Sequence, residues 1–139
     1  MDDGELRQAL QVLESYKEQM DALSRRISVL QISLEETFRA RETLRQFSEA
    51  KEGDEILVPV GASVFVRAKV TGSDSAIVGI GNRVSVEKKL SDAEDYMNSG
   101  YTEIEEALRT ASKALNDMST IANNLAETIN AEYEARQNA

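Results

Sequence analysis

The chain of 139 residues contains no cysteine, no histidine and no tryptophan, with one proline and seven glycines. Without cysteine there is neither a disulfide framework nor thiolate chemistry. Without histidine the commonest acid–base group and the commonest transition-metal ligand are missing. Aromatic residues make up only 5% of the chain, so a large compact core is out of reach, and the buried surface must come from one seam or from partner chains. No apolar run approaches the ~20 residues of a membrane span. The start, Met1-Asp2-Asp3-Gly4-Glu5, is acidic and unlike a signal peptide, so a cytoplasmic location is expected.

The net charge of −9 is unevenly spread. Residues 1–52 carry eleven acids against eight bases, residues 53–90 four against five, and residues 91–139 ten against three. Nucleic acid requires a basic stripe, and the C-terminal third is the reverse; an anionic membrane surface is disfavoured for the same reason. Neither is expected as a partner.

What the chain does have is two apolar heptad tracks. Leu6, Ala9, Leu13, Tyr16, Met20, Leu23, Ile27, Leu30 and Leu34 step alternately by three and four, as do Met97, Tyr101, Ile104, Leu108, Ala111, Leu115, Met118, Ala122, Leu125 and Ile129. Such spacing keeps every side chain on one helical seam. The first helix is predicted over about 5–52, uninterrupted by Gly or Pro and stopped by Gly53, giving an arm of roughly 65–70 Å. After Leu34, Thr37 and Arg41 fall on the seam, and a phase shift toward Phe38, Leu44 and Phe47 is expected, with those three packing on the strands. The second helix is predicted over about 91–136, with Ser91 and Glu94 as a capping box. Gly100 weakens it and Thr102 offers a rival start, but the seam keeps its phase across both.

Residues 54–90 alternate with a period of two. Ile56–Val60, Ser63–Thr71, Ala76–Ile80 and Arg83–Lys89 read as four strands, with turns at Gly61-Ala62, Gly72–Ser75 and Gly81-Asn82. Two isolated hairpins bury little and leave edges open, so this segment reads as an assembly surface. The fold class expected is mainly α: a long antiparallel two-helix coiled coil with two β-hairpins inserted between the helices, all one domain over 1–139. Antiparallel pairing places partners where residue numbers sum to about 140, with both chain ends at the far tip of the arm. There Leu6, Leu10, Val12, Leu13, Leu125, Ile129 and Tyr133 gather. They are read either as ordinary scattered exposure or as an apolar binding patch.

Catalytic signatures are absent. Glu35-Glu36, Glu105-Glu106 and the group Asp92, Glu94 and Asp95 suit solvated helix faces, and Arg25-Arg26 a surface pair. Gly79-Ile80-Gly81 is followed by no phosphate-loop Lys-Ser/Thr. No enzyme activity, metal or cofactor is expected.

This pattern resembles the prefoldin family, in particular its archaeal alpha class. The most specific stretch is Val58-Pro59-Val60-Gly61-Ala62-Ser63-Val64-Phe65-Val66-Arg67-Ala68-Lys69-Val70, followed by Ala76-Ile77-Val78-Gly79-Ile80-Gly81 and Val84-Ser85-Val86-Glu87-Lys88. Two hairpins, rather than one, mark the alpha class. The resemblance implies an ATP-independent cochaperone built as a heterohexamer of two alpha and four beta subunits. In it the strands join into an intersubunit β-barrel platform, and the coiled-coil tips capture unfolded clients and deliver them to a group II chaperonin. On this chain the platform would be Ile56, Val58, Val60, Val64, Val66, Val70, Ile77, Val78, Ile80, Val84 and Val86. The client surface would be the tip residues Leu6, Leu10, Val12, Leu13, Leu125, Ile129 and Tyr133. The competing reading is a coiled-coil scaffold or tether, with a β dimerisation module and no client binding.

Overall fold

The computed structural model describes all 139 residues. The order is α1 (Asp3–Phe47), β1 (Glu55–Gly61), β2 (Val64–Lys69), β3 (Ser75–Gly81), β4 (Val84–Lys89) and α2 (Leu90–Gln137). It is the expected coiled-coil pair of helices with two antiparallel hairpins inserted between them.

Helix α1 starts earlier than Glu5 because Asp2 caps it. The Glu5 amide donates to the Asp2 carboxylate at 2.7 Å, and the Leu6 amide donates to the Asp2 carbonyl at 3.0 Å. It also stops sooner than the predicted Glu52. After Phe47 the chain tightens into turns, with the Ala50 amide on the Phe47 carbonyl at 3.0 Å. The Gly53 amide donates to the Val70 carbonyl at 2.7 Å, and the Val70 amide donates back to Asp54 at 2.8 Å. Residues that could have extended the helix are thus claimed by the first hairpin. Helix α2 begins at Leu90, directly after β4, so Ser91 lies inside the first turn and does not cap it. It runs through Gly100 without a break, as its seam phase indicates.

Two compact units divide the chain: Met1–Ser33 with Ile104–Ala139, and Leu34–Glu103. In the first, all seam positions are buried or half-buried, with Leu6, Ala111, Ala122 and Ile129 deepest. The antiparallel register is visible in the Arg136–Asp3 pair, and in Leu23 and Arg26 lining one groove with Ala107, Thr110, Ala111 and Ala114. In the second unit the register appears as Phe38 beside Tyr101 and Arg41 beside Asn98. Within each unit the numbers of these partners sum close to the expected 140.

The predicted phase shift does not occur. Thr37, Arg41 and Leu44 continue the seam half-buried, while Phe38 is exposed and leans on Tyr101 instead of the strands. Arg41 can hold a seam position because its guanidinium stacks on aromatic rings while its stem packs as an apolar chain. Phe47 does meet the strands, lining a groove with Ile56 and Leu57.

The hairpins are structural duplicates displaced by twenty residues, Glu55–Gly61 recurring as Ser75–Gly81 and Val64–Lys69 as Val84–Lys89. Val58 pairs with Val66 and Val78 with Val86, and each register slips once, between Pro59 and Gly61 and between Gly79 and Gly81. The two-residue loops lie one position later than predicted. Ala62 and Ser63 have φ of 50° and 61°, and Asn82 and Arg83 have 51° and 60°. Left-handed backbone at both central positions matches the twist of the flanking strands. Gly61 and Gly81 instead sit at the bulges, at φ 111° and 109°, where a side chain would be strained. Both second strands are anchored alike: the Val70 amide bonds Asp54, and the Leu90 amide bonds Asp74 at 2.9 Å.

Candidate functional site

Two surfaces stand out, one in each unit. In the unit Leu34–Glu103, the two-stranded sheets have no third strand, so their edges are open. Alternation sends Ile56, Val58, Val66 and Ala68 to one face, and Leu57, Pro59, Phe65 and Arg67 to the other. Val58, Val60, Val64, Val66, Ile77, Ile80 and Val84 are exposed, Ile77 the most at 77%. Ile56 and Val86 are half-buried. Val70 and Val78 differ from the rest of the expected platform set, being buried within the chain. Sequence reasoning passed over Leu57 and Phe65, which are 63% and 56% exposed. The signal was present, since both are apolar residues on the face that alternation assigned to solvent.

In the unit Met1–Ser33 with Ile104–Ala139, the chain ends meet. Leu10, Val12 and Tyr133 are exposed, while Leu13 and Leu125 are half-buried in the seam. Leu6 and Ile129 are covered, at 7% and 3% exposure. Above them Arg136 gathers three oxygens. Its Nη1 lies 2.7 Å from Asp3 Oδ1, its Nε 3.2 Å from Glu132 Oε1, and its Nη2 donates to the Met1 carbonyl at 3.2 Å. The Met1 amine lies 3.5 Å from Glu132 Oε2. The hydrogen bond from Arg136 holds the Glu132 carboxyl below its ordinary value, and Asp3 and Glu132 raise Arg136 in turn. This cluster was not foreseen, although the antiparallel register already placed residue 3 against residue 136.

No group of three acidic side chains is placed to hold a metal ion, and no helix is long and apolar enough to cross a membrane. The grooves between the elements are shallow and open, and none gathers perturbed acid–base groups.

Comparison with known proteins decides the family. The family model described as "Prefoldin subunit" matches residues 16–135. The chain belongs to the prefoldin family. It groups there with the alpha subunits. It is 31% identical over 107 residues to the prefoldin subunit alpha of Thermofilum pendens, spanning 77% of this chain and 81% of that one. It is 27% identical over 138 residues to the corresponding subunit of Methanoculleus marisnigri, spanning 99% and 92%. Among solved structures it is similar to a chain of a filamentous PFD from Methanocaldococcus jannaschii, with TM-score 0.69, 22% identity and coverage of 84% and 97%. It is also similar to the prefoldin beta subunit from Thermococcus strain KS-1, with TM-score 0.59, 15% identity and coverage of 92% and 91%. At those identities the likeness speaks for the fold. As a prefoldin, the chain is a chaperone-type subunit from a non-enzymatic family.

Proposed function

We propose that this chain is the alpha-type subunit of an ATP-independent holding chaperone of the cytoplasm. It assembles through its hairpins with beta-type subunits, in the ratio of two to four. It captures unfolded proteins at its coiled-coil tip and passes them to a group II chaperonin. The observation that carries the reading is the apolar surface left open on both hairpins, centred on Leu57, Val66, Ile77 and Ile80. Edges without neighbours and valine-rich faces without cover are stabilised by strands from other subunits.

At the tip, Leu10, Val12 and Tyr133 offer weak apolar contacts. Several such arms on one platform bind a client by avidity, so no single contact needs to be strong. Release follows when a competing receptor displaces the contacts one by one, which requires no nucleotide. The excess of acids keeps exposed patches on different molecules apart.

The test is the light-scattering mass of the full chain alone and mixed with a beta-type subunit, followed by aggregation assays on three unrelated unfolded proteins. A discrete hetero-oligomer that protects all three supports the proposal. A chain that ignores the beta subunit, or protects none of the three, leaves a tether and overturns it.

A further inference from the structure

The apolar groups of the tip fall into two sets. Leu10 and Tyr133 are open, whereas Leu6 and Ile129, one helical turn from each, are covered. Leu6 is the only buried side chain of α1, although it lies within its first turns, where helices ordinarily fray. Leu6 and Ile129 are both seam positions packed between the helices, and an ionic clasp holds the two helix ends together beside them. Asp3 stands three residues before Leu6, and Glu132 and Arg136 stand three and seven residues after Ile129, so each charge shares a helix face with one of these seam residues. Arg136 ties the two helices together at 2.7 Å through Asp3 and draws in the Met1 carbonyl at 3.2 Å.

We propose that the clasp of Asp3, Arg136 and Glu132 is an autoinhibitory cover: closed, it withholds Leu6 and Ile129 from the client surface, and opened, it adds them to it. The inference rests on the tip being that surface. Asp3 is 86% exposed and Arg136 38%, so the clasp lies in water and is weak enough to open reversibly. Salt screens it, the Debye length shrinking from about 8 Å at physiological ionic strength to about 3 Å at 1 M. Once it opens, Leu6 joins Leu10 and Ile129 joins Tyr133, each pair being four residues apart on one helix. Each of the two exposed residues then becomes part of a wider apolar patch on its own helix.

The experiment compares the full chain with Arg136→Gln and, as a charge control away from the tip, Arg39→Gln, whose partner Glu35 is also highly exposed. Amide hydrogen exchange over residues 4–10 and 125–137 reads the opening itself. The chain concentration that halves the aggregation of chemically unfolded citrate synthase reads capture. Arg136→Gln is expected to speed exchange at the tip and to lower that concentration by about threefold, a gain of the size an exposed ion pair controls. Adding Leu6→Ser and Ile129→Ser to Arg136→Gln should erase the gain, and Arg39→Gln should change neither readout. Unchanged exchange, or faster exchange with unchanged capture, overturns the cover while leaving the tip as a binding surface. If Leu10→Ser with Tyr133→Ser fails to weaken capture in the otherwise unaltered chain, the tip itself is not the client surface, and the cover falls with it.

Discussion

The guanidinium of Arg41 lies 4.4 Å from the centre of the Tyr101 ring, joining α1 to α2 at a seam position where a coiled coil ordinarily places an apolar side chain. Phe38 flanks it at 5.3 Å, and its Nη1 donates to Asn98 Oδ1 at a long 3.5 Å. Its Nε is buried without a partner. Stacking on two rings stabilises the cation, and the unpaired donor costs part of that gain. Arg41→Met, which keeps the stem and removes the unpaired donor, should melt within a few degrees of the parent. Arg41→Ala should lose about 1–2 kcal/mol, measured by urea unfolding. An equal loss for Met and Ala would show that charge, and not packing, holds this crossing.

Gly100 lies inside α2, and a Cβ built on it meets nothing within 4 Å. Its backbone is helical, so alanine removes chain entropy from the unfolded state without strain in the folded one. Gly100→Ala should therefore raise stability by about 0.5–1 kcal/mol. A fall in the melting temperature would mean that the helix bends there in solution.

Val66 and Val78 are both hairpin valines but differ in burial, at 46% and 6% exposure. Val66→Asp should leave the melting curve of the isolated chain nearly unchanged and abolish its co-elution with a beta-type subunit. Val78→Asp buries a carboxylate without a partner and should destabilise the isolated chain by about 3 kcal/mol or more. Equal effects of the two on the isolated chain would contradict the burial pattern.

Glu132 titrates below its ordinary 4.5, chiefly because Arg136 hydrogen-bonds its charged form, with the Met1 amine assisting. A carboxyl with a depressed folded value contributes stability above its unfolded value and loses it as the pH falls through the folded one. The tip should thus be closed at neutral pH and loosen in acid, below about 4.5. Amide exchange over residues 125–137, corrected for its intrinsic pH dependence, should show this transition, and Glu132→Gln should remove it. Asp2 shifts in the same direction, chiefly because it accepts the Glu5 amide, so the N-cap of α1 also weakens in acid, below its ordinary 3.8.

Much of the architecture was legible because it is encoded at short range. Steps of three and four define the seams from Leu6 to Leu34 and from Met97 to Ile129, and steps of two define the strands. Length and antiparallel pairing then fix the register, since partners such as Phe38 and Tyr101 follow from simple addition. The twenty-residue repeat of the hairpins was legible too, in Val58, Gly61, Val64 and Val66 against Val78, Gly81, Val84 and Val86, but composition differs enough between copies to hide it. Tertiary structure decided what periodicity cannot express. Helix α1 ends at Phe47 because Gly53 and Asp54 bond to Val70, a competition between local helix and distant strand. Val70 and Val78 are buried while their neighbours stay open, a difference that an evenly apolar alternation does not carry. Leu6 and Ile129 are covered because the two helices pair across the seam, and Arg136 fastens that end to Asp3, 133 residues away in the chain. A side chain's type is local information. Whether water can reach it depends on which distant atoms are brought over it, and only the folded chain determines that.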